Sequence, residues 1–138
     1  MHRNPWWMTP RGITLDSGAL VIGLEHALER RATVAGKPSP VVFREALREL
    51  SVEVRAGGGP RLRAADVAMV GDDLESDVAG SRRIGLRGIL VLTGKTDRAT
   101  VDTAESASRL RGPGRPDGIG SNLLEVVTAL VEGRDGPR

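Results

Sequence analysis

Residues 67–70 read Val-Ala-Met-Val and run straight into Gly71, Asp72 and Asp73, so an apolar stretch of strand length ends in carboxylates. A buried strand of this kind suits a parallel sheet, and open α/β sheets deliver the C-terminal ends of their strands to the crevice where ligands bind. Asp72 and Asp73 are therefore expected to project into a site rather than into a core. Four acidic side chains, Asp72, Asp73, Glu75 and Asp77, lie within six residues, and they repel one another unless a cation joins them. The matching cation is Mg²⁺, a hard ion that takes oxygen ligands and keeps waters that a phosphate can replace. Helix capping competes with this reading. Asp73 or Ser76 can cap a helix that follows, and Asp77 can favour its first turn through the dipole.

The surrounding pattern predicts an α/β fold, a parallel sheet with helices on its faces, reached by right-handed crossovers. Residues 1–17, with Pro5, Pro10 and Gly12, read as loop or a strand remnant. Asp16 or Ser17 can cap a helix over 18–30, with Leu20, Leu24, Ala27 and Leu28 on one face. A short strand is expected over 32–35. Ser39 and Pro40 then open a second helix as cap and first helical residue, with Val41, Phe43, Ala46, Leu47 and Leu50 supplying its buried face. Residues 55–63 form a connector around Gly57, Gly58, Gly59 and Pro60. After the strand at 67–70 comes a helix from about Leu74 or Ser76 to Ile84, closed by Gly85. Residues 88–92 are the most strand-like run, and 99–110 are weakly helical. The stretch 111–120 is rich in Gly and Pro, 123–131 form an amphipathic helix, and 132–138 are expected to be disordered.

Composition narrows the chemistry. The 138 residues suit one domain with a core of Val, Leu, Ile and Ala, because there are one Phe, two Trp and no Tyr. The absence of cysteine excludes disulfides, thiolate metal sites and a Cys nucleophile. The net charge of +2 comes from scattered Arg without basic blocks or stacking aromatics, which argues against nucleic acid as a partner. No run approaches a membrane span or a signal-peptide core, so a soluble cytoplasmic protein is the default expectation.

Lys37 is one of two lysines in a chain that otherwise uses Arg for positive charge. An ammonium is a compact point charge that can sit beside both a phosphate oxygen and a carboxylate, where a guanidinium fork would not fit. A surface loop lysine is the plain alternative. A Walker A loop is excluded, because Gly36, Lys37 and Pro38 lack the upstream glycine spacing and a Ser or Thr directly after the lysine. Residues 93–96, Thr-Gly-Lys-Thr, read as a turn that can also offer backbone N–H groups to an anion. His26 reads as structural, and Trp6 and Trp7 as either a core plug or an exposed lid.

Gly36-Lys37-Pro38-Ser39-Pro40, the acidic stretch 70–77, and Gly-Ile-Leu-Val-Leu-Thr-Gly-Lys at 88–95 occur in that order and spacing. Together they resemble the haloacid dehalogenase (HAD) superfamily and, more narrowly, its class IIA, p-nitrophenylphosphatase-like phosphatases. The resemblance implies the C-terminal part of a Rossmann-like HAD core over 32–131, preceded over 1–31 by the tail of an α/β cap domain. It implies a Mg²⁺-dependent phosphatase acting on a small phosphorylated metabolite through a phosphoaspartate. Lys37 matches the family's third motif, whose lysine steadies the nucleophile and the phosphoryl oxygens. Asp72 matches a direct Mg²⁺ ligand and Asp77 a support of the metal shell, with Asp73 beside them. Residues 4–8 match a cap stretch that faces substrate, which makes Trp7, with Gly36 and Lys37, a candidate for substrate or phosphate binding.

The family's first motif, Asp-x-Asp-Gly, supplies the nucleophile and the general acid/base, and no Asp-x-Asp occurs in this chain. The expectation is therefore a C-terminal half that is inactive alone. A non-catalytic module that associates through an exposed sheet edge, as a homo-oligomer or with another subunit, is the alternative from another class. A receiver-like phosphoacceptor domain is a third. Receivers place their acidic pair at the end of the first strand and their lysine late, whereas Lys37 precedes the acidic turn.

Overall fold

A computed structural model describes residues 3–107 and 109–133. The chain opens with an antiparallel hairpin, β1 (Trp6–Thr9) and β2 (Gly12–Leu15), in which Trp6 pairs with Leu15 and Thr9 with Gly12. Gly12 adopts φ 107, left-handed backbone that closes the tight turn without a Cβ penalty. Trp6 and Trp7 are 51% and 55% exposed, so they are not a core plug.

Helix α1 (Ser17–Leu28) starts where Asp16, one of the two caps that the sequence offers, accepts from the Ser17 N–H. Leu20, Leu24 and Leu28 on its apolar face remain exposed, and Val21 is the large residue that it buries. Helix α2 (Pro40–Ala56) begins at Ser39, whose hydroxyl accepts from Val41 N–H, with Pro40 at its first turn. Of its predicted buried face, Phe43 is buried and Leu47 half-buried, while Val41, Ala46 and Leu50 stay exposed. The helix also runs through the first two residues of the expected connector.

Three parallel strands form the sheet, in the order β3 (Ala68–Gly71), β4 (Arg87–Val91) and β5 (Gly118–Gly120). The expected strand over 32–35 does not form. Those residues join no ladder, and the Ala32 N–H goes instead to the Glu25 carboxylate at 2.8 Å. A strand is only as stable as its pairing, and four residues without a neighbour have none. The third strand comes instead from the Gly- and Pro-rich stretch. It is held from outside: Arg82 donates to the carbonyls of Gly112 and Arg115 and pairs with Asp117 at 3.0 Å, and Asp117 accepts from Gly88 N–H at 2.8 Å.

Central strand β4 explains the core. Its alternate residues point to opposite faces. Leu90 packs with Val78 and Val101, all fully buried, flanked by Leu74, Leu92, Leu110 and Ile119. Ile89 and Val91 pack with Val126, flanked by Ala68, Val70 and Leu130. Helix α4 (Arg98–Ser106) brings Val101 to the first face and α5 (Leu123–Val131) brings Val126 to the second, so both faces of the strand are covered. The reading of 123–131 as a helix holds with those bounds. The reading of 132–138 as disordered falls outside the described residues beyond Gly133.

After β3 the chain winds through a π-helical segment, Leu74–Ala79, into the short helix α3 (Gly80–Arg82). The Asp73 carbonyl accepts from both Asp77 and Val78 N–H, at 3.0 and 3.2 Å, which is the widened turn. Gly85 closes the segment at φ 86, as expected from the sequence. Gly80 lies against α2: a Cβ there would meet Phe43 Cε2 at 2.7 Å and the Pro38 backbone at 3.1 Å. This contact seats the loop at 36–38 against the helix that follows the acidic turn. Gly80→Ala is expected to destabilise the fold by about 1–3 kcal/mol through overpacking, read as a lower midpoint in urea denaturation followed by circular dichroism.

Candidate active site

The acidic turn and the loop at 36–38 meet, although 40 residues separate them in sequence. Lys37 Nζ donates to Asp77 Oδ1 at 2.6 Å. The Lys37 side chain is 47% exposed and that of Asp77 4%, so the ammonium reaches from solvent to a carboxylate at the base of the site. The Lys37 to Pro38 peptide is cis. Gly36 accepts from Ser39 N–H at 2.9 Å, closing the turn that carries Lys37.

Gly71 is required where it stands. A Cβ there would lie 2.3 Å from Asp77 Oδ2, so any larger residue at the end of β3 would push Asp77 off its position. Asp77 Oδ2 in turn accepts from Asp73 N–H at 3.2 Å. The strand end and the first helical turn are thereby tied together through one buried carboxylate.

Asp73 serves the helix. Its Oδ1 accepts from the N–H groups of Glu75 and Ser76, at 2.9 and 3.0 Å, and its Oδ2 accepts from Lys95 Nζ at 2.5 Å. Burial opposes its ionisation, but the Lys95 ammonium and the amides of Ser76 and Glu75 prevail and hold its carboxyl below the ordinary value. Asp73 thus fills the capping role that sequence alone could not separate from metal binding.

Asp72 differs from both. Its Oδ2 accepts from Lys95 N–H at 2.7 Å, and among the described residues Oδ1 takes no hydrogen bond. A concavity of about 470 Å³ collects Asn4, Trp7, Lys37, Asp72, Asp73, Ser76, Asp77 and Lys95. The structure therefore brings together five of the six predicted site residues; Gly36 does not line this space. Lys95 is the member that sequence reading passed over, since Thr-Gly-Lys-Thr reads as a plain turn. Its one available signal was shared with Lys37: these are the two lysines of the chain.

The donor chemistry fits a hard divalent cation in kind. Asp72 presents carboxylate oxygen to a polar cavity beside further carboxylates. It does not form a full cage. Among the described residues no three acidic or histidine side chains gather closely enough to hold an ion, and Lys37 engages Asp77 while Lys95 engages Asp73.

Comparison with known proteins agrees with this geometry. A family model described as HAD-hydrolase-like matches residues 34–126, which contain both lysines and the acidic turn. The chain is 36% identical over 135 residues to phospholysine phosphohistidine inorganic pyrophosphate phosphatase from Bos taurus, covering 98% of this chain and 43% of that protein. It is 34% identical over 127 residues to haloacid dehalogenase-like hydrolase domain-containing protein 2 from Bos taurus, covering 92% of this chain and 45% of that protein. The chain thus spans less than half the length of these relatives. Among solved structures it resembles p-nitrophenyl phosphatase from Archaeoglobus fulgidus, with TM-score 0.72 and 33% identity over 92% of this chain and 44% of that one. It also resembles a glycerol phosphate phosphatase from Mycobacterium tuberculosis solved in complex with magnesium, with TM-score 0.62 and 32% identity over 86% of this chain and 31% of that one. A lysine and a carboxylate turn joined across a parallel α/β sheet, within a segment that the family model spans, place this chain in the haloacid dehalogenase-like hydrolase family.

Proposed function

We propose that this chain carries the lysine and the metal-binding carboxylates of a Mg²⁺-dependent phosphohydrolase site for small phosphorylated substrates, and that it does not hydrolyse phosphate esters by itself. The observation that carries this reading is the contact of Lys37 with Asp77 beside Asp72, around one cavity. Asp72 would bind the cation directly, with Asp77 and Asp73 supporting the shell. Bound there, Mg²⁺ would offset negative charge on a phosphoryl group. The Lys37 ammonium, half-exposed and anchored by Asp77, would meet the phosphoryl oxygens from the other side. Trp7 offers an apolar wall to the rest of the substrate, and Gly36 shapes the turn behind Lys37. On this reading residues 1–31 are the tail of a cap and 32–131 the C-terminal half of a core.

Displacement at phosphorus by a protein carboxylate needs an attacking oxygen that is not already held by a lysine or a helix terminus. Asp73 and Asp77 are so held, Asp72 is the proposed ligand, and the sequence contains no Asp-x-Asp. The purified chain with Mg²⁺ is therefore expected to release no p-nitrophenol from p-nitrophenyl phosphate above the buffer rate. Turnover that disappears in Asp72→Ala would overturn this reading.

The lysine has a separate signature. Removing it leaves the Asp77 carboxylate buried without its cation, a loss of about 1–3 kcal/mol after allowance for the exposed half of Lys37. Lys37→Ala is expected to show that loss in urea denaturation, and Asp77→Asn in the same background should recover part of it.

A second reading rests on β3, which among the described residues pairs with β4 alone. Its outer edge carries unpaired backbone groups and invites another strand. Association of the chain through this edge would appear in sedimentation velocity as concentration-dependent dimers or larger species. A single monomeric species across micromolar concentrations would speak against it.

A further inference from the structure

Residues 93–96, which follow β4, fold back over the acidic turn. The Lys95 N–H donates to Asp72 Oδ2 at 2.7 Å, and the Thr96 N–H donates to the Asp72 carbonyl at 3.0 Å. One short loop thus grips Asp72 by side chain and main chain together. Gly94 permits the approach, since a Cβ there would lie 2.0 Å from Asp72 Oδ2. The loop is anchored at both sides of that contact, by the Lys95 ammonium on Asp73 and by Thr96, which is buried at 5% exposure.

A carboxylate free to rotate can meet a cation with either oxygen or with both. One whose Oδ2 is engaged by an amide is left to bind through Oδ1, in a single orientation, and outer hydrogen bonds of this sort fix ligand geometry. The Lys95 ammonium meanwhile occupies Asp73 Oδ2. We infer that Gly94 and Lys95 form a positioning device. The Lys95 main-chain amide orients Asp72 so that Oδ1 alone is offered to a divalent cation in the cavity, and Gly94 is the residue that lets the amide come close enough. This rests on the reading of Asp72 as a cation ligand. It assigns the loop a task that depends on its backbone rather than on the lysine charge.

Mn²⁺, a paramagnetic ion with the same preference for oxygen ligands, is the probe, titrated into the full chain and read by line broadening in amide NMR spectra. In the wild type, Mn²⁺ should broaden the amides around Asp72, and Asp72→Ala should abolish the effect. Gly94→Ala should weaken Mn²⁺ binding by about tenfold or more, in the range seen when an outer-shell partner is lost. Lys95→Ala keeps the amide and removes only a positive charge, so it should bind at least as tightly as wild type. Wild-type affinity in Gly94→Ala, with binding still lost in Asp72→Ala, overturns the inference while the ligand reading stands. Equal losses in Gly94→Ala and Lys95→Ala move the effect to the ammonium and also overturn it. No broadening in the wild type, or none lost in Asp72→Ala, removes the ligand reading itself. Should Gly94→Ala fail to fold, the Lys95 amide decides in the wild type. It should resonate downfield and exchange slowly with solvent, and both properties should vanish in Asp72→Ala; an amide unchanged between the two proteins refutes the contact.

Discussion

The arrangement of the site depends on the buried carboxylate of Asp77. A carboxylate at 4% exposure is costly unless its charge is answered, and here the answers come from distant parts of the chain. Lys37 supplies a cation from a loop 40 residues upstream, and the Asp73 N–H supplies a donor from the turn after β3. Gly71 supplies empty space. Each partner is thereby fixed in place by the need to satisfy the same group. The loop carrying Lys37 is further seated by Gly80, which lies against Pro38 and Phe43.

The two lysines divide the acidic turn between them. Four carboxylates in six residues would repel one another if all faced the same space, yet Lys37 takes Asp77 and Lys95 takes Asp73. Asp72 is left held by an amide rather than by a charge. A neutral donor orients a carboxylate without cancelling it, so the cavity retains one carboxylate whose negative charge no ammonium answers. Chemical identity within the cluster is thus set by which partner each group receives, not by the residue type that all three aspartates share.

The sheet that carries these groups is short. Strand β4, buried on both faces by helices, anchors it, and β3 and β5 border it on either side. The apolar residues left exposed on β1, β2 and α1, among them Trp6, Ile13, Leu15 and Leu24, belong to the part of the chain outside the two core clusters. The chain spans less than half the length of the relatives it matches.

Sequence alone determined the features that depend on near neighbours. The caps at Asp16 and Ser39, Pro40 at a first helical turn, Gly85 as a left-handed stop and the helix over 123–131 all follow from local hydrogen bonding and periodicity. The strands ending at Gly71 and Val91, the first half-buried and the second largely buried, follow from apolar runs, and the motif order pointed to the family. Tertiary structure decided what local rules leave open. Residues 32–35 found no ladder, whereas Gly118–Gly120, with little side chain to signal a strand, was drawn into the sheet beside β4 by contacts from Arg82 and Asp117. That Asp73 caps a helix, and that Lys95 grips Asp72 rather than lying in a plain turn, could not be read from composition. A carboxylate's role depends on donors within about 3 Å of it, and those donors come from chain segments that only the fold brings together.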